Sequence, residues 1–230
     1  MIELLQLENN LIGTHEAARS LEKKEHARLL VLSDSHGNYR IMASILKNYG
    51  PSCDAFIFCG DGITDLAEML ETADTNPDFK KCIPPVIAFV RGNGDPDTFP
   101  LSFDIGKHNP NAKGLLKGTL IVPNRQILCV NNTNFYITHG HNEGVYYSKD
   151  LLGMQIKYSE CSVALFGHTH IAQEEIDGSF KFINPGSCTR PRDGKKPGFA
   201  IITVEKDFTD TAFIKIENAF SDNPVFTIQK

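Results

Sequence analysis

Long apolar runs are missing from this sequence: the longest are five or six residues, far short of the roughly 20 that a membrane-spanning helix needs. The first ten residues, MIELLQLENN, have neither a basic start nor a sustained apolar stretch, so no secretory signal is expected there. Basic residues never run longer than two, and the 230-residue chain carries a net charge of −5. A protein that tracks along nucleic acid usually shows a basic stripe, so nucleic acid is not an expected partner. There is no Cys-x-x-Cys pair. The six cysteines, at 53, 59, 82, 129, 161 and 188, fall partly inside apolar stretches such as FIFCG and ILCV. They read as buried free thiols of a reduced, cytoplasmic protein rather than as a disulfide framework. Tryptophan is absent, but 41% hydrophobic and 22% charged residues is otherwise the composition of a globular domain.

What is present begins at residue 28. Six times an apolar run is followed at once by small and polar residues: RLLVLSDSHGN, AFIFCGDG, PVIAFVRGNGD, NFYITHGH, SVALFGHTH and FKFINPGS. Such runs read as buried strands. Helical segments lie between them. Ile41, Ile45, Leu46 and Tyr49 share one face before a Gly-Pro stop. Asp65 and Glu68 suggest a capping box ahead of the Leu66, Met69, Leu70 stripe. Ser148 is placed to cap a third helix carrying Leu151, Leu152 and Ile156. After His170 only strands are expected, with a two-residue hairpin at Asp177-Gly178. The fold class expected is therefore α/β, one domain with two stacked mixed sheets flanked by helices. Residues 1–27 stand apart as an N-terminal extension. The stretch from His15 to Ala27 favours a helix, either packed on the surface or making a contact between copies in a homo-oligomer. Residues 28–230 form the main domain, with a Pro-, Gly- and Asn-rich loop insertion near 98–125 of the kind that often covers a site.

Every polar motif sits at the carboxyl end of an expected strand, where ligands bind in open α/β sheets. Collected, these motifs give Asp34, His36, Asp61, Asn93, His139, His141, His168 and His170, five of the chain's eight histidines. Imidazoles with carboxylates suit Mn, Fe, Zn or Ni, and the candidates are too many for one tetrahedral ion, so two metals are expected. Asp34 and His36, like His168 and His170, alternate along what reads as extended chain, which would send both side chains the same way. His15, His26 and His108 read as structural histidines, Asp65 and Asp95 as turn or cap residues, and Asn38 as a cap or a phosphate contact. Asn184 to Ser187 form a turn beside the site. Arg190 and Arg192 are placed either to meet a phosphate or to sit in solvent.

DSHGN, CGDG, RGNGD, THGH and GHTH, in this order and each after an apolar strand, resemble the calcineurin-like metallophosphoesterases. With INPGS after the last pair, they are most similar to the small bacterial and archaeal phosphodiesterase branch. The resemblance covers residues 28 to about 217. It implies the α-β-β-α sandwich of that family. It also implies that Asp34, His36 and His170 hold one divalent cation and Asn93, His139 and His168 a second, Asp61 bridging them. Manganese is the cation first expected, with Fe, Zn or Ni in reserve. The implied reaction is hydrolysis of a small-molecule phosphodiester by hydroxide shared between the cations, since zinc lowers the pKa of water from about 16 to about 7. Asp61 and Asn93 take part through the metals. Two alternatives use the same residues: a phosphomonoesterase or nuclease, and a non-catalytic scaffold like the retromer subunit of similar fold.

One residue departs from the pattern. Many relatives carry His after Gly-Asn and the small branch commonly has Cys, but this chain has Gly94. A glycine cannot donate a proton, which leaves His141 either to assist the leaving group or to orient a ligand. The expected outcome is weak turnover of unactivated monoesters and better turnover of diesters with good leaving groups. Comparable kcat/KM for an alkyl phosphate and a nitrophenyl diester would contradict it.

Overall fold

The structure is a computed structural model that describes residues 3–105, 118–206 and 208–229. The larger of two facing sheets has seven strands. Their order is β1 (Ile12–Gly13), β4 (Val86–Phe89), β3 (Ala55–Phe58), β2 (Ala27–Leu32), β12 (Gly198–Glu205), β13 (Phe208–Glu217) and β14 (Val225–Ile228). The smaller has five, in the order β10 (Ala172–Asp177), β11 (Phe180–Pro185), β9 (Val163–Leu165), β8 (Thr133–Thr138) and β7 (Arg125–Val130). Three neighbouring strands run parallel in each: β2, β3 and β4 in the first, and β8, β9 and β11 in the second.

The apolar runs are continuous because these strands are covered on both faces. Along β2, Leu29 and Val31 turn toward the second sheet and pack with Ile57, Ile137 and Leu165. Leu30 and Leu32 turn the other way, into the core beneath α2 (Tyr39–Tyr49) and α3 (Ile63–Thr75). A third core lies between the second sheet and α5 (Asp150–Tyr158), around Tyr136, Leu152, Ile156 and Phe166. The layers are therefore helix, sheet, sheet, helix, the α/β architecture expected. Among the described residues no helix is long and apolar enough to cross a membrane. All six cysteines are free.

Several local readings shift. Asn38 caps α2, its side chain accepting the Ile41 N–H. Ser148 accepts the Asp150 N–H at 3.3 Å but does not cap α5, whose N-cap is Lys149, and the apolar stripe it precedes is narrower than expected. Leu152 and Ile156 are buried, whereas Leu151 faces solvent. The hairpin turns at Gly178-Ser179, one residue later than expected, because Asp177 still pairs with Phe180. The expected capping box does not form: Gly62 is the N-cap of α3, and Asp65 is spent elsewhere. His15 and His26 are exposed beside Glu8 and Glu205; His108 lies outside the described residues.

The N-terminal segment is less helical than its composition suggests. Its helix α1 covers only His15–Glu22, capped by Thr14, and Ala27 already belongs to β2. Before it, β1 adds an antiparallel edge to β4, and Leu4, Leu7, Leu11, Ile12 and Leu21 are buried in the two cores that flank the large sheet. A two-residue strand has no periodicity to read. Of the insertion near 98–125, the base forms a ribbon, β5 (Thr98–Pro100) with β6 (Thr119–Ile121). The part that would cover a site, 106–117, lies outside the described residues.

Two buried glutamines fasten this segment. Gln6 exchanges two hydrogen bonds with the Ile121 backbone, at 2.7 and 3.0 Å. Gln126 accepts the Phe89 N–H at 2.6 Å and donates to the Asn9 carbonyl at 3.2 Å, joining β7, β4 and the N-terminal turn. Gln126→Leu strands a buried amide donor and carbonyl, and should lower unfolding free energy by about 1–3 kcal/mol. A urea midpoint equal to that of the wild type would refute this role.

Candidate metal centre

The loops that leave β2, β3, β4, β8 and β9 at their carboxyl ends meet along one edge of the sandwich. They carry Asp34 and His36, Asp61, Asn93, His139 and His141, and His168 and His170 respectively. Five of these residues hold positive φ: Asp34 at 56°, His36 at 48°, Asp61 at 58°, His168 at 67° and His170 at 61°. This left-handed region disfavours side chains other than Asn, Asp and His. The side chains of Asp34 and His36 do converge, but not through the alternation of an extended strand. Each pair lies beyond its strand, in a chain curled back on itself.

The curl sorts the side chains into two overlapping groups. Ligand atoms of Asp34, His36 and His170 fall within 4.8 Å of one another, and so do those of Asp34, Asp61 and His139. His170 Nε2 is 3.1 Å from Asp34 Oδ1 and 3.1 Å from His36 Nε2. His139 Nε2 is 3.9 Å from Asp34 Oδ1 and 3.7 Å from Asp61 Oδ2. His168 joins the second group by its ring, whose centroid is 5.1 Å from that of His139. Asp34, rather than Asp61, is the residue these two groups share.

The donor set fits a cation. Nδ1 of His139 is 2.7 Å from the Cys59 carbonyl and Nδ1 of His170 is 2.6 Å from that of Arg190. A carbonyl only accepts, so each Nδ1 carries its hydrogen and each Nε2 offers a lone pair to the centre. His139 Nε2 and Asp34 Oδ1 are buried with no hydrogen-bond partner among the described residues. Unmet acceptors of this kind are costly unless something positive meets them. Burial is the main reason that the pKa of His36, His141 and His168 is lowered, which keeps these imidazoles neutral. Burial pushes the same way on His170, but the Asp34 carboxylate 3.1 Å away outweighs it and raises its pKa. Burial also works against ionisation of Asp34; the neighbouring His170 and His139, with the Ser33 hydroxyl, more than offset it and lower its pKa.

Asn93 is exposed, in a turn between Gly92 and Gly94. Both glycines press on Asp61. A Cβ at Gly92 would collide with its carboxylate, and Gly94 donates its N–H to Asp61 Oδ1 at 2.8 Å. His141 stands beside His139, ring centroids 5.4 Å apart, with a buried Nδ1 that has no hydrogen-bond partner. Arg190, His36, Asp61 and Gly94 line an open cleft of about 230 Å³. Arg192 sits on the other flank, its N–H on the His170 carbonyl at 3.3 Å.

Two carboxylates that the sequence reading left as turn or cap residues hold these loops. Asp95 does cap α3, accepting the Gly62 and Ile63 N–H groups, and it also accepts those of Asp61 and Gly92, all at 2.7–3.0 Å. Asp65 accepts the Ser35 hydroxyl and the N–H groups of Gly37 and Asn38. Apart from Gly92, three residues before Asp95, these partners are distant in sequence, so the pattern does not display them. The turn after β11 is structural, as read: Asn184 donates to the Gly167 carbonyl at 2.7 Å and Ser187 to that of Asp34 at 2.7 Å.

Comparison with known proteins agrees with this geometry. The family model described as "Calcineurin-like phosphoesterase superfamily domain" matches residues 28–207. Probable metallophosphoesterase YsnB of Bacillus subtilis (strain 168) is 29% identical over 187 residues, 80% of this chain and 89% of that protein. Two solved structures share the fold. One, from work titled "Structural and Functional Characterization of a Novel Archaeal Phosphodiesterase", has a TM-score of 0.56 at 22% identity and covers 81% of this chain and 99% of its own. The other, Vacuolar Protein Sorting 29 from Cryptosporidium parvum, has a TM-score of 0.60 at 14% identity, covering 90% and 99%.

Removing either holding carboxylate should loosen the loop it gathers. Asp95→Ala leaves four backbone donors unmet and should lower unfolding free energy by roughly 3 kcal/mol, with Asp65→Ala costing somewhat less. Denaturant titration measures both, and an Asp95→Ala protein as stable as the wild type would show that water replaces the carboxylate freely.

Proposed function

Since the chain belongs to the calcineurin-like phosphoesterase superfamily, we propose that it is a cytoplasmic phosphodiesterase acting on a small-molecule ester with two divalent cations, manganese first among them. Asp34, His36 and His170 would hold one cation and Asn93, His139 and His168 the other, with Asp61 beside His139 and Asp34 common to both groups. What supports this reading above all is the convergence of Asp34 Oδ1 with the Nε2 atoms of His36, His139 and His170, where Asp34 Oδ1 and His139 Nε2 are buried with no hydrogen-bond partner among the described residues. Divalent cations held there would supply Lewis acidity, lowering the pKa of water and neutralising charge on phosphoryl oxygens.

The chain's own residues set what the site accepts. Backbone carbonyls fix the tautomers of His139 and His170, so both are oriented without reorganisation. Gly94 directs an N–H, not a side chain, at Asp61, and no acid stands at that position. His141, its pKa lowered chiefly by burial, is neutral at pH 7 and a weak proton donor. Leaving groups that depart without protonation are therefore favoured, which suits activated diesters better than alkyl monoesters. Arg190, at the cleft, is placed to meet a phosphoryl oxygen.

The likeness to Vacuolar Protein Sorting 29 supports a second reading, an interaction scaffold on the same fold. One assay separates them. With Mn²⁺ present, bis-nitrophenyl phosphate should be hydrolysed faster than nitrophenyl phosphate or a short oligonucleotide. Asp61→Asn should lower that rate by roughly 100-fold. A wild-type rate no higher than that of Asp61→Asn would favour the scaffold.

A further inference from the structure

Beyond His141 the chain folds into a loop that is anchored at both its core and its polar side. Val145 is buried in the α5 core, and its methyl groups fill the space that a Cβ on Gly140 would need, at 2.7 Å, where φ is +100°. The Glu143 carboxylate accepts the Thr138 hydroxyl at 3.1 Å. Val145 and Glu143 thus hold the loop without help from its next residue. Tyr146 stands edge-on to His168, ring centroids 4.9 Å apart, and remains 46% exposed. A second loop, following β11, brings the Arg192 guanidinium carbon to 5.8 Å from the Tyr146 ring centroid. Arg192 Nη1 also lies 3.4 Å from the His168 carbonyl. A half-open aromatic ring and a cation therefore stand together at the rim, in contact with a residue proposed to hold metal.

We propose that Tyr146 and Arg192 form a subsite for a planar ring attached to the substrate's phosphate, so that the substrate class is a phosphodiester bearing a nucleoside or aryl group. This rests on the phosphodiesterase reading above. The ring stacks on Tyr146, an interaction that every base or aryl group can make through its π face. Arg192 supplies a planar donor for phosphate oxygens on the same flank. The small size of the metal-side cleft does not limit the group so bound, because Tyr146 lies outside it, on the His168 side.

The test compares two nitrophenyl phosphodiesters that share a leaving group and differ in the retained substituent, thymidine or methyl. Wild type should prefer the thymidine ester. Tyr146→Leu should lower the thymidine-to-methyl ratio of kcat/KM roughly ten-fold, and Tyr146→Phe should keep it. A phenyl ester matching the thymidine ester would assign the subsite to any flat ring, and one matching the methyl ester would assign it to nucleosides. Independently of turnover, saturation-transfer NMR on the metal-free protein should show transfer to the thymine ring of thymidine monophosphate methyl ester in wild type and not in Tyr146→Leu. Equal transfer in both proteins, or none in either, overturns the subsite. So does an unchanged ratio in Tyr146→Leu while both esters are hydrolysed, and the diesterase reading then survives. If wild type hydrolyses neither ester with Mn²⁺, that reading falls and the subsite falls with it.

Discussion

Everything at the sheet edge is organised around one fully buried carboxylate, that of Asp34. Its Oδ2 accepts the Ser33 hydroxyl at 2.6 Å and the His168 N–H at 3.1 Å. Its backbone carbonyl takes hydroxyls from Ser187 and Thr189, and its own N–H reaches Gly60. Loops from both sheets are thereby tied to a single residue, and the one atom left over, Oδ1, points at three imidazoles. A charge in such a place is tolerable only when it is compensated. The donors that reach this residue serve its Oδ2 and its backbone, and among the described residues none hydrogen-bonds to Oδ1.

The scaffold around it is made chiefly of carboxylates and carbonyls aimed at backbone N–H groups and imidazoles, not of apolar packing. Asp95 gathers four amides from two loops, and Asp65 gathers the Ser35–Asn38 turn. Backbone carbonyls set two histidine rings. Such contacts fix position without supplying positive charge to the centre. Activity, on the proposed reading, depends on these holding contacts as much as on the groups that would touch metal.

Much of the fold was legible because its signal is one-dimensional. A strand buried on both faces is a short apolar run, and β2, β3, β4, β8 and β9 all announce themselves so. The site was legible because each run is followed at once by its polar residues, and strand ends at one sheet edge must be neighbours. What escaped was non-local. The pairing of β1 spans two residues, and Gln6 and Gln126 act through partners over a hundred residues away or on other strands. Asp65 and Asp95 look like helix starts, since nothing in sequence says which distant amides they collect. The alternation argument for Asp34/His36 found the right convergence by the wrong geometry, because left-handed backbone cannot be read from residue type when the residues are Asp and His.

That left-handed backbone has an evolutionary cost. Each of the five residues with positive φ stores about 1 kcal/mol or more that glycine at the same position would not. Glycine would relieve that cost at His36, His168 or His170, but at Asp34 it would also remove the acceptor of the Ser33 hydroxyl and the His168 N–H.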